Sequence, residues 1–267
     1  MSAAALVRAD GVAVAYPGGP PVLTGVTFEL REGERVAVLG PNGGGKTTLF
    51  RAVLGELRPA AGALAASARR AAVPQTERSR LDFPVSASDV ALMGTIPGRP
   101  WWRRPSRADR AAARAALARV GLADRAERTY GELSGGQRQR VLIARAIVQD
   151  AGVLLLDEPF SGLDTTSAAA LERLLGELAG EGRGVLIATH DLDQARGWDR
   201  VLCLNGRQLA FGDPADVLTP EVLAATYGGA IVTLPGTDPD APRRAILPPH
   251  HHDHHHDHHH DRRGSAR

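Results

Sequence analysis

The stretch that most constrains the fold is "GPNGGGKTT", residues 40–48. It has the spacing G-x-x-x-x-G-K-T and lies between an apolar stretch, "RVAVL", and a helical pattern, "TTLFRAVLGEL", that stops before Pro59. Strand, glycine-rich loop and helix in this order are the context of a phosphate-binding P-loop. Glycines let backbone N–H groups surround phosphate oxygens, and the helix N-terminus adds a favourable dipole. The predicted phosphate-binding residues are Gly40, Pro41, Asn42, Gly43, Gly44, Gly45, Lys46, Thr47 and Thr48.

Lys46 is the only lysine in a chain whose lysines and arginines together number 32. Because every other basic position is arginine, we expect lysine only where a compact ammonium group is needed in a tight space. Lys46 is predicted to bridge the β- and γ-phosphates of a bound nucleotide. The Thr47 hydroxyl, the next residue, is predicted to bind Mg²⁺.

Polar residues follow two further apolar stretches. "GVLLLDEP" (152–159) ends with Asp157 and Glu158, and "GVLIATH" (184–190) ends with His190. Near-continuous apolar stretches are typical of strands buried on both faces of a parallel sheet, where ligands bind beyond the carboxyl ends of the strands. We therefore expect an α/β fold in which these residues meet the P-loop. Asp157 would hold Mg²⁺, Glu158 would polarise the attacking water and His190 would contact the γ-phosphate.

The octapeptide "LSGGQRQR" (133–140) closely resembles the signature motif of the ABC ATPases. The resemblance covers about residues 5–225 and implies an ABC-type P-loop ATPase with a mostly parallel sheet core, a β-rich N-terminal part and a helical subdomain. The other matching motifs occur in the family's order: Tyr16, the P-loop, Gln75 in "VPQ", the signature, "LLLDEP", "SGLD" (161–164) and His190.

The resemblance implies a role for each motif residue. Tyr16 would stack on adenine, while Gln75 would reach the Mg²⁺ and the attacking water and link ATP binding to a membrane partner. The active form would be a head-to-tail dimer of two copies with two ATP molecules between them and Asp164 at the contact. Gly44 departs from the serine of many relatives, yet binding should survive because backbone N–H groups do most of the cradling. The residues that would cap the γ-phosphate on the second copy are Ser134, Gly135, Gly136 and Gln137.

The stretch "LDFPVSASDVALMGTIPG", followed by a "WWRRPSRADR" loop, is similar to the zinc and manganese importers of this family. This similarity implies a cytoplasmic ATPase subunit, peripheral on the inner face of the cell membrane. Its partners would be membrane permease subunits and, indirectly, an extracytoplasmic metal-binding protein. An ATPase for another substrate or for an exporter, and a soluble ATPase of iron–sulfur assembly, remain alternatives.

Composition agrees with this placement. The net charge is only +2 and the basic residues are dispersed, so we expect no nucleic-acid partner. The single cysteine, Cys203, excludes a disulfide within the chain and fits a reducing compartment. No apolar stretch approaches the roughly 20 residues that span a bilayer.

Residues 1–233 are predicted to form the ATPase domain, with a helical subdomain at about 76–150 and a return to strands at 151–225. Proline, glycine and aspartate dominate after residue 233, so 234–267 is predicted to be mostly disordered. The segment "RPWWRRPSRADR" (99–110) has two interpretations. It is either a surface that faces a membrane protein or lipid headgroups, or a packed loop.

The stretch "HHHDHHHDHHHD" (250–261) has nine histidines in twelve positions. It has three interpretations: a purification tag, a solvated repeat without function, or a reversible site for Zn²⁺. Zinc binding is favoured because tags are usually uninterrupted and neutral imidazole is a common zinc ligand. The proposed zinc ligands are His250, His251, His252, His254, His255, His256, His258, His259 and His260.

Overall fold

The computed structural model of the chain describes residues 3–74, 84–97, 100, 102, 104–228, 231–234 and 243–246. The strands are β1 Ala5–Ala15, β2 Pro21–Arg31, β3 Arg35–Leu39, β4 Pro59–Ala66, β5 Arg70–Val73, β6 Val153–Asp157, β7 Gly184–Ala188, β8 Arg200–Leu204, β9 Gln208–Gly212, β10 Ile231–Leu234 and β11 Arg243–Ile246. The helices are α1 Lys46–Leu54, α2 Ala87–Leu92, α3 Arg107–Arg119, α4 Gly135–Val148, α5 Thr165–Gly180, α6 Leu192–Arg196, α7 Pro214–Val217 and α8 Pro220–Tyr227.

The large sheet has six strands in the order β5-β6-β7-β3-β8-β9. All neighbouring pairs are parallel except β8 and β9. Every residue of β7 is buried, as is nearly all of β3 and β6, because both faces of the sheet are covered. The mostly parallel sheet predicted from the sequence is confirmed. Since β3 lies beside β7 and β7 beside β6, the segments that follow these strands meet at one edge.

The N-terminal part forms a second, antiparallel sheet in the order β2-β1-β4. Its apolar side chains, such as Leu23 and Phe28, pack in one core with Leu49 and Phe50 of α1 and with strands of the large sheet. Burying a leucine or phenylalanine contributes about 1.5–3 kcal/mol, so this core firmly positions the helix that follows the P-loop. The β-rich start predicted for the chain is confirmed.

The middle of the chain is helical, as predicted for 76–150, within the part of that range that the structure describes. Each of the helices α2, α3 and α4 begins at a serine whose hydroxyl accepts a hydrogen bond from the third helical N–H. The third residue's side chain accepts in return from the serine N–H, which completes a capping box. Such caps contribute about 1 kcal/mol and fix where each helix starts. The capping pairs are Ser86 with Asp89, Ser106 with Asp109, and Ser134 with Gln137.

The chain divides into two compact units, Met1–Gly229 and Ala230–Arg267. In the second unit, β10 pairs antiparallel with β11. The domain boundary at 233 and a mostly disordered segment beyond it stay predictions. The histidine segment 250–261 lies outside the described residues. Within the described part of the chain, no helix is both long and apolar enough to cross a bilayer.

Candidate nucleotide-binding site

The loop between β3 and α1 is shaped by glycines. Gly43 and Gly45 have φ angles of +81° and +99°, which side chains other than glycine rarely adopt. A Cβ on Gly44 would lie 3.0 Å from the Pro41 oxygen, and one on Gly45 would lie 2.9 Å from Leu23 Cδ1. The Gly44 N–H donates to the Pro41 carbonyl at 3.0 Å. The loop is therefore folded tightly on itself, and it leaves little space for a Cβ at Gly44 or Gly45.

The N-terminus of α1 opens towards this loop. Gly45 is its N-cap, no side chain caps it and no acidic residue lies in its first turn. Thr47 in that turn is exposed. The N–H groups at this helix N-terminus can donate to an anion, and the loop beside it can approach the same anion closely because it presents backbone atoms. This arrangement fits the phosphates of a nucleotide.

Lys46 is only 8% exposed. Its Nζ donates to the carbonyl of Gly40 at 2.6 Å and to that of Pro41 at 3.1 Å. Burial lowers the pKa of Lys46, while the charges of Glu158 and Asp157 act in the opposite direction. The ammonium group therefore lies at the inner surface of the loop, within the electrostatic influence of both acidic residues.

Asp157 and Glu158 lie at the carboxyl end of β6. Asp157 is paired with Ala188 of β7, and the Glu158 N–H donates to the Ala188 carbonyl at 3.0 Å. Glu158 has a φ of 46° although it precedes Pro159, which disfavours helical conformations in the residue before it. A non-glycine residue in the left-handed region costs about 1–3 kcal/mol and is typical of functional sites.

His190 lies next to Glu158, as the sequence predicted for strands that end at one edge. His190 Nδ1 is 3.6 Å from Glu158 Oε1, and the histidine side chain is 65% exposed. Hydrogen bonding to Glu158 raises the pKa of His190 despite partial burial. The neighbouring Thr189, which the sequence did not single out, is buried, and its hydroxyl accepts from the Asp191 N–H at 3.1 Å. This bond fixes the turn on which His190 lies.

Tyr16 lies beside α1. Its hydroxyl is 3.3 Å from Thr48 Oγ1, and the Arg51 guanidinium lies 5.4 Å from the centre of its ring. Arg51 is in turn held by Glu56, with Nε 3.1 Å from Oε2. The bond to Thr48, together with Arg51, lowers the pKa of Tyr16. The exposed ring is thus oriented next to the P-loop helix by Arg51, a residue that no sequence motif had marked.

The signature residues lie at the start of α4. Ser134 is its N-cap and is exposed, and its N–H donates to Gln137 Oε1 at 3.0 Å. A Cβ on Gly136 would lie 3.2 Å from Ser167 Cβ and 3.3 Å from Leu163 Cδ2, so this turn packs closely against the start of α5. Gly135, in contrast, has open space around it. The signature therefore presents an exposed helix N-terminus.

Asp164 caps α5. Its Oδ1 accepts from the Ser167 N–H at 2.9 Å and its Oδ2 from the Ser167 hydroxyl at 2.7 Å. These bonds, the backbone one first, lower the pKa of Asp164, whose side chain is exposed.

Gln75 and the nine tail histidines lie outside the described residues. Among the residues that the structure does describe, no group of three or more His, Cys, Asp or Glu could hold a metal ion.

Comparison with known proteins identifies the family of the chain. The sequence profile of the family described as "ABC transporter" matches residues 23–161, from β2 to the turn after Glu158. The chain belongs to the ABC transporter family. It is an ATP-hydrolysing ABC cassette. Cassettes of this family bind ATP with Mg²⁺, form dimers and work with membrane permease subunits.

Named relatives are similar over nearly their whole length. The manganese transport system ATP-binding protein MntB of Bacillus subtilis is 40% identical over 237 residues, which are 85% of this chain and 94% of that protein. The zinc transport system ATP-binding protein TroB of Treponema pallidum is 41% identical over 234 residues, 84% of this chain and 88% of that one.

Solved structures share the fold of the cassette. An ABC transporter of metal-chelate type in an inward-facing conformation is 30% identical with a TM-score of 0.79, covering 93% of this chain and 99% of the other. The dimeric cassette MJ0796, bound to ADP and Pi after hydrolysis, is 25% identical with a TM-score of 0.67, covering 78% and 98%.

Proposed function

We propose that this cassette energises a membrane permease that imports a divalent metal cation, with zinc the first choice and manganese the next. The observation that carries the proposal is near-full-length similarity to relatives named for manganese and zinc transport. An ABC cassette does not touch the cargo, so its own site does not select the metal. The nine histidines of the tail favour zinc, because imidazole suits Zn²⁺ whereas Mn²⁺ prefers oxygen ligands.

The P-loop would hold the phosphates of ATP, with the Lys46 ammonium between the β- and γ-phosphates. Thr47 and Asp157 supply a hydroxyl and a carboxylate at the same edge of the sheet, the oxygen ligands that Mg²⁺ accepts. When bound with ATP, Mg²⁺ neutralises phosphate charge. Gln75 is proposed as a further Mg²⁺ and water contact from its motif alone.

Glu158 would accept a proton from the water that attacks the γ-phosphate. Its carboxylate lies 3.6 Å from His190 Nδ1, so the histidine can orient that carboxylate while its exposed ring contacts the γ-phosphate. The Tyr16 ring, steadied by Thr48 and Arg51, would stack on adenine. The proximity of Glu158 and His190 where β6 and β7 end supports these two assignments.

The second half of each site would come from another copy of the chain. The exposed N-terminus of α4 is an anion site, because its first N–H groups point outward along the helix dipole. Asp164, exposed at the start of α5 beside that turn, would lie at the dimer contact. The residues proposed to cap the partner's γ-phosphate are Ser134, Gly135, Gly136 and Gln137.

A surface on the helical subdomain supports two further proposals: that the chain binds a membrane permease, and that it lies on the inner face of the cell membrane. Met93, Ile96 and Trp102 are large, apolar and exposed, and Trp102 is 71% exposed. Met93 and Ile96 lie within one turn of the chain, since the Ile96 N–H donates to the Met93 carbonyl at 3.1 Å, and exposed apolar patches mark interaction sites. The exposure of Trp102 favours the surface interpretation of this segment over a packed loop, while Trp101 lies outside the described residues.

Metal uptake by a strain that lacks this cassette tests the proposal. Uptake of zinc, manganese, iron, cobalt and nickel is measured in that strain, and again with the wild-type chain or its Glu158→Gln variant restored. We expect the wild-type chain alone to restore zinc uptake, because Glu158→Gln assembles but does not hydrolyse ATP. Restoration of manganese uptake alone would reassign the metal. If the wild-type chain restored the uptake of none of these metals, the import proposal would be wrong.

The tail is proposed to bind zinc reversibly. Calorimetry of the full chain is compared with a matched variant in which the nine tail histidines are asparagine. Zinc binding is expected at about pH 7.5 in the wild type only, and it should weaken at about pH 5.5, where imidazoles with a pKa near 6.5 are protonated. Equal zinc binding by both proteins would show that the tail is not the site.

A further inference from the structure

We infer that Trp198 is a positioning residue that holds the catalytic conformation of Glu158 through Phe160. Trp198 lies between α6 and β8 and is only 4% exposed. Its ring centre lies 6.4 Å from that of Phe160, with the planes inclined by 47°. Phe160 is two residues past Glu158, in the loop that leads to α5. Because Glu158 is the proposed base, this role of Trp198 rests on the proposed function.

The indole of Trp198 is fixed in place from two directions. Its Nε1–H donates to Glu172 Oε1 of α5 at 3.2 Å, and Arg35 Nη1 donates to the same oxygen at 3.0 Å. Arg35, at the start of β3, also donates from Nη2 to the Gly197 carbonyl at 3.1 Å. A buried aromatic ring whose N–H is bonded, and whose backbone neighbour is also held, presents a fixed surface to Phe160.

Glu158 is the residue that needs such a surface. Its φ of 46° immediately before Pro159 is a conformation that persists only where the surroundings impose it. Two backbone bonds hold it: the Glu158 N–H to the Ala188 carbonyl at 3.0 Å, and the Ser161 N–H to the Glu158 carbonyl at 3.2 Å. The first bond ties the turn to β7, and the second lies within the turn. The packing of Phe160 on the indole adds a side-chain contact that opposes an outward relaxation of the turn.

The same contact also bears on His190. The chain runs from His190 through α6 to Trp198, and from Glu158 to Phe160. The two segments therefore start at the proposed catalytic pair and meet again at the two aromatic rings. This closed arrangement fixes the position of the Glu158 carboxylate relative to His190, and its loss should slow hydrolysis without changing the phosphate-binding loop.

The test measures ATP hydrolysis and ATP binding by the full chain, at a temperature well below the melting point of every variant. Trp198→Ala is expected to lower kcat about tenfold with KM for ATP unchanged within about twofold, because small misplacements of a catalytic group mainly slow the chemical step. Trp198→Phe, which keeps a ring against Phe160, should recover most of the loss. Phe211→Ala is the matched control, since it removes a comparable ring contact with Phe28, at 6.0 Å, in another part of the core.

Two further variants keep the outcomes separate. If Glu158→Gln retains turnover, the proposed base is wrong, and the inference about Trp198 fails with it. If Glu158→Gln stops turnover but Trp198→Ala keeps the wild-type kcat, or Phe211→Ala loses as much, only the positioning role is overturned. Should Trp198→Ala not fold, Phe160→Leu replaces it, because this change removes the ring from the other side of the contact; an unchanged kcat there also overturns the role.

Discussion

In the P-loop half of the site, Lys46 and Thr48 are buried, and the loop packs on Leu23 and Leu204 of neighbouring strands. In the signature half, Ser134 is exposed, and added atoms on Gly135 would meet open space. The first half is thus built into the core of its own chain. The second half is a surface.

The difference shows what one chain can do alone. The P-loop half has its cation, its strand-end carboxylates and its helix N-terminus in one place, so we expect a single chain to bind nucleotide. In the signature half, Ser134 and Gln137 bond to each other, which stabilises the helix start but leaves its outward face for another molecule. Binding should therefore depend on the first half and hydrolysis on both.

The largest effect is expected at the buried half. Lys46→Arg should reduce ATP affinity by about 100-fold, since charge-assisted hydrogen bonds contribute about 1.5–3 kcal/mol and a planar guanidinium cannot replace an ammonium there. The reason is space: Nζ already lies 2.6 Å and 3.1 Å from two loop carbonyls. Titration with ATP measures the affinity. Arg58→Lys, the reverse exchange at an exposed position, is the control and should leave affinity unchanged.

The next effect tests the surface half. Ser134→Arg should leave ATP affinity of the single chain unchanged but abolish hydrolysis, because the arginine would block the partner's γ-phosphate. Mixed with Glu158→Gln, it should regain activity, since a mixed dimer has one intact site and one site with both changes. Equal mixing should restore about a quarter of wild-type hydrolysis if the two sites act independently. No regain at any mixing ratio would contradict shared sites or show that both sites must work together.

The P-loop half could be predicted from sequence because it is local. The glycine spacing, the strand before it and the helix after it lie within residues 35–54, and β6 and β7 appeared as apolar stretches at their true positions. That Glu158 and His190 meet followed from one general rule about parallel strands.

Long-range side-chain contacts could not be predicted. The rings of Phe160 and Trp198 are far apart in sequence, and no periodicity links them. The positive φ of Glu158 was also hidden, because a strained residue is maintained by its surroundings rather than by its own preference. The antiparallel pairing of β1 with both β2 and β4 likewise depends on distant partners.

A smaller effect is expected on the stability of the fold, and it should differ between a glycine of the P-loop half and one of the signature half. Gly45 has a φ of +99°, and a Cβ there would lie 2.9 Å from Leu23 Cδ1. Gly45→Ala should therefore destabilise the fold by about 1–3 kcal/mol, because a side chain is strained in the left-handed region. Gly135→Ala, at an open position in the first turn of a helix, should not destabilise it. Chemical unfolding of both variants measures this, and equal stability losses would contradict the contrast between core and surface.

The smallest effect is expected from His190, which is exposed, whereas Lys46 in the same P-loop half is buried. Hydrogen bonding to Glu158 raises the folded-state pKa of His190 above its ordinary value of about 6.5. A raised pKa means that the pair stabilises the fold fully below that ordinary value and loses this contribution as pH rises through the folded pKa.

His190→Asn should consequently lower the melting temperature more at about pH 6 than at about pH 9, where the histidine is neutral. The corresponding loss of unfolding free energy should differ by less than about 1 kcal/mol between the two pH values, because the His190 side chain is largely exposed and solvent screens the pair. Both proteins carry the same nine tail histidines, so the contribution of the tail cancels. Thermal unfolding over this pH range, without nucleotide, measures the gap between the melting temperatures of the wild type and the variant. A gap that is constant, or that widens at high pH, would mean that the ion pair with Glu158 does not form in the folded chain.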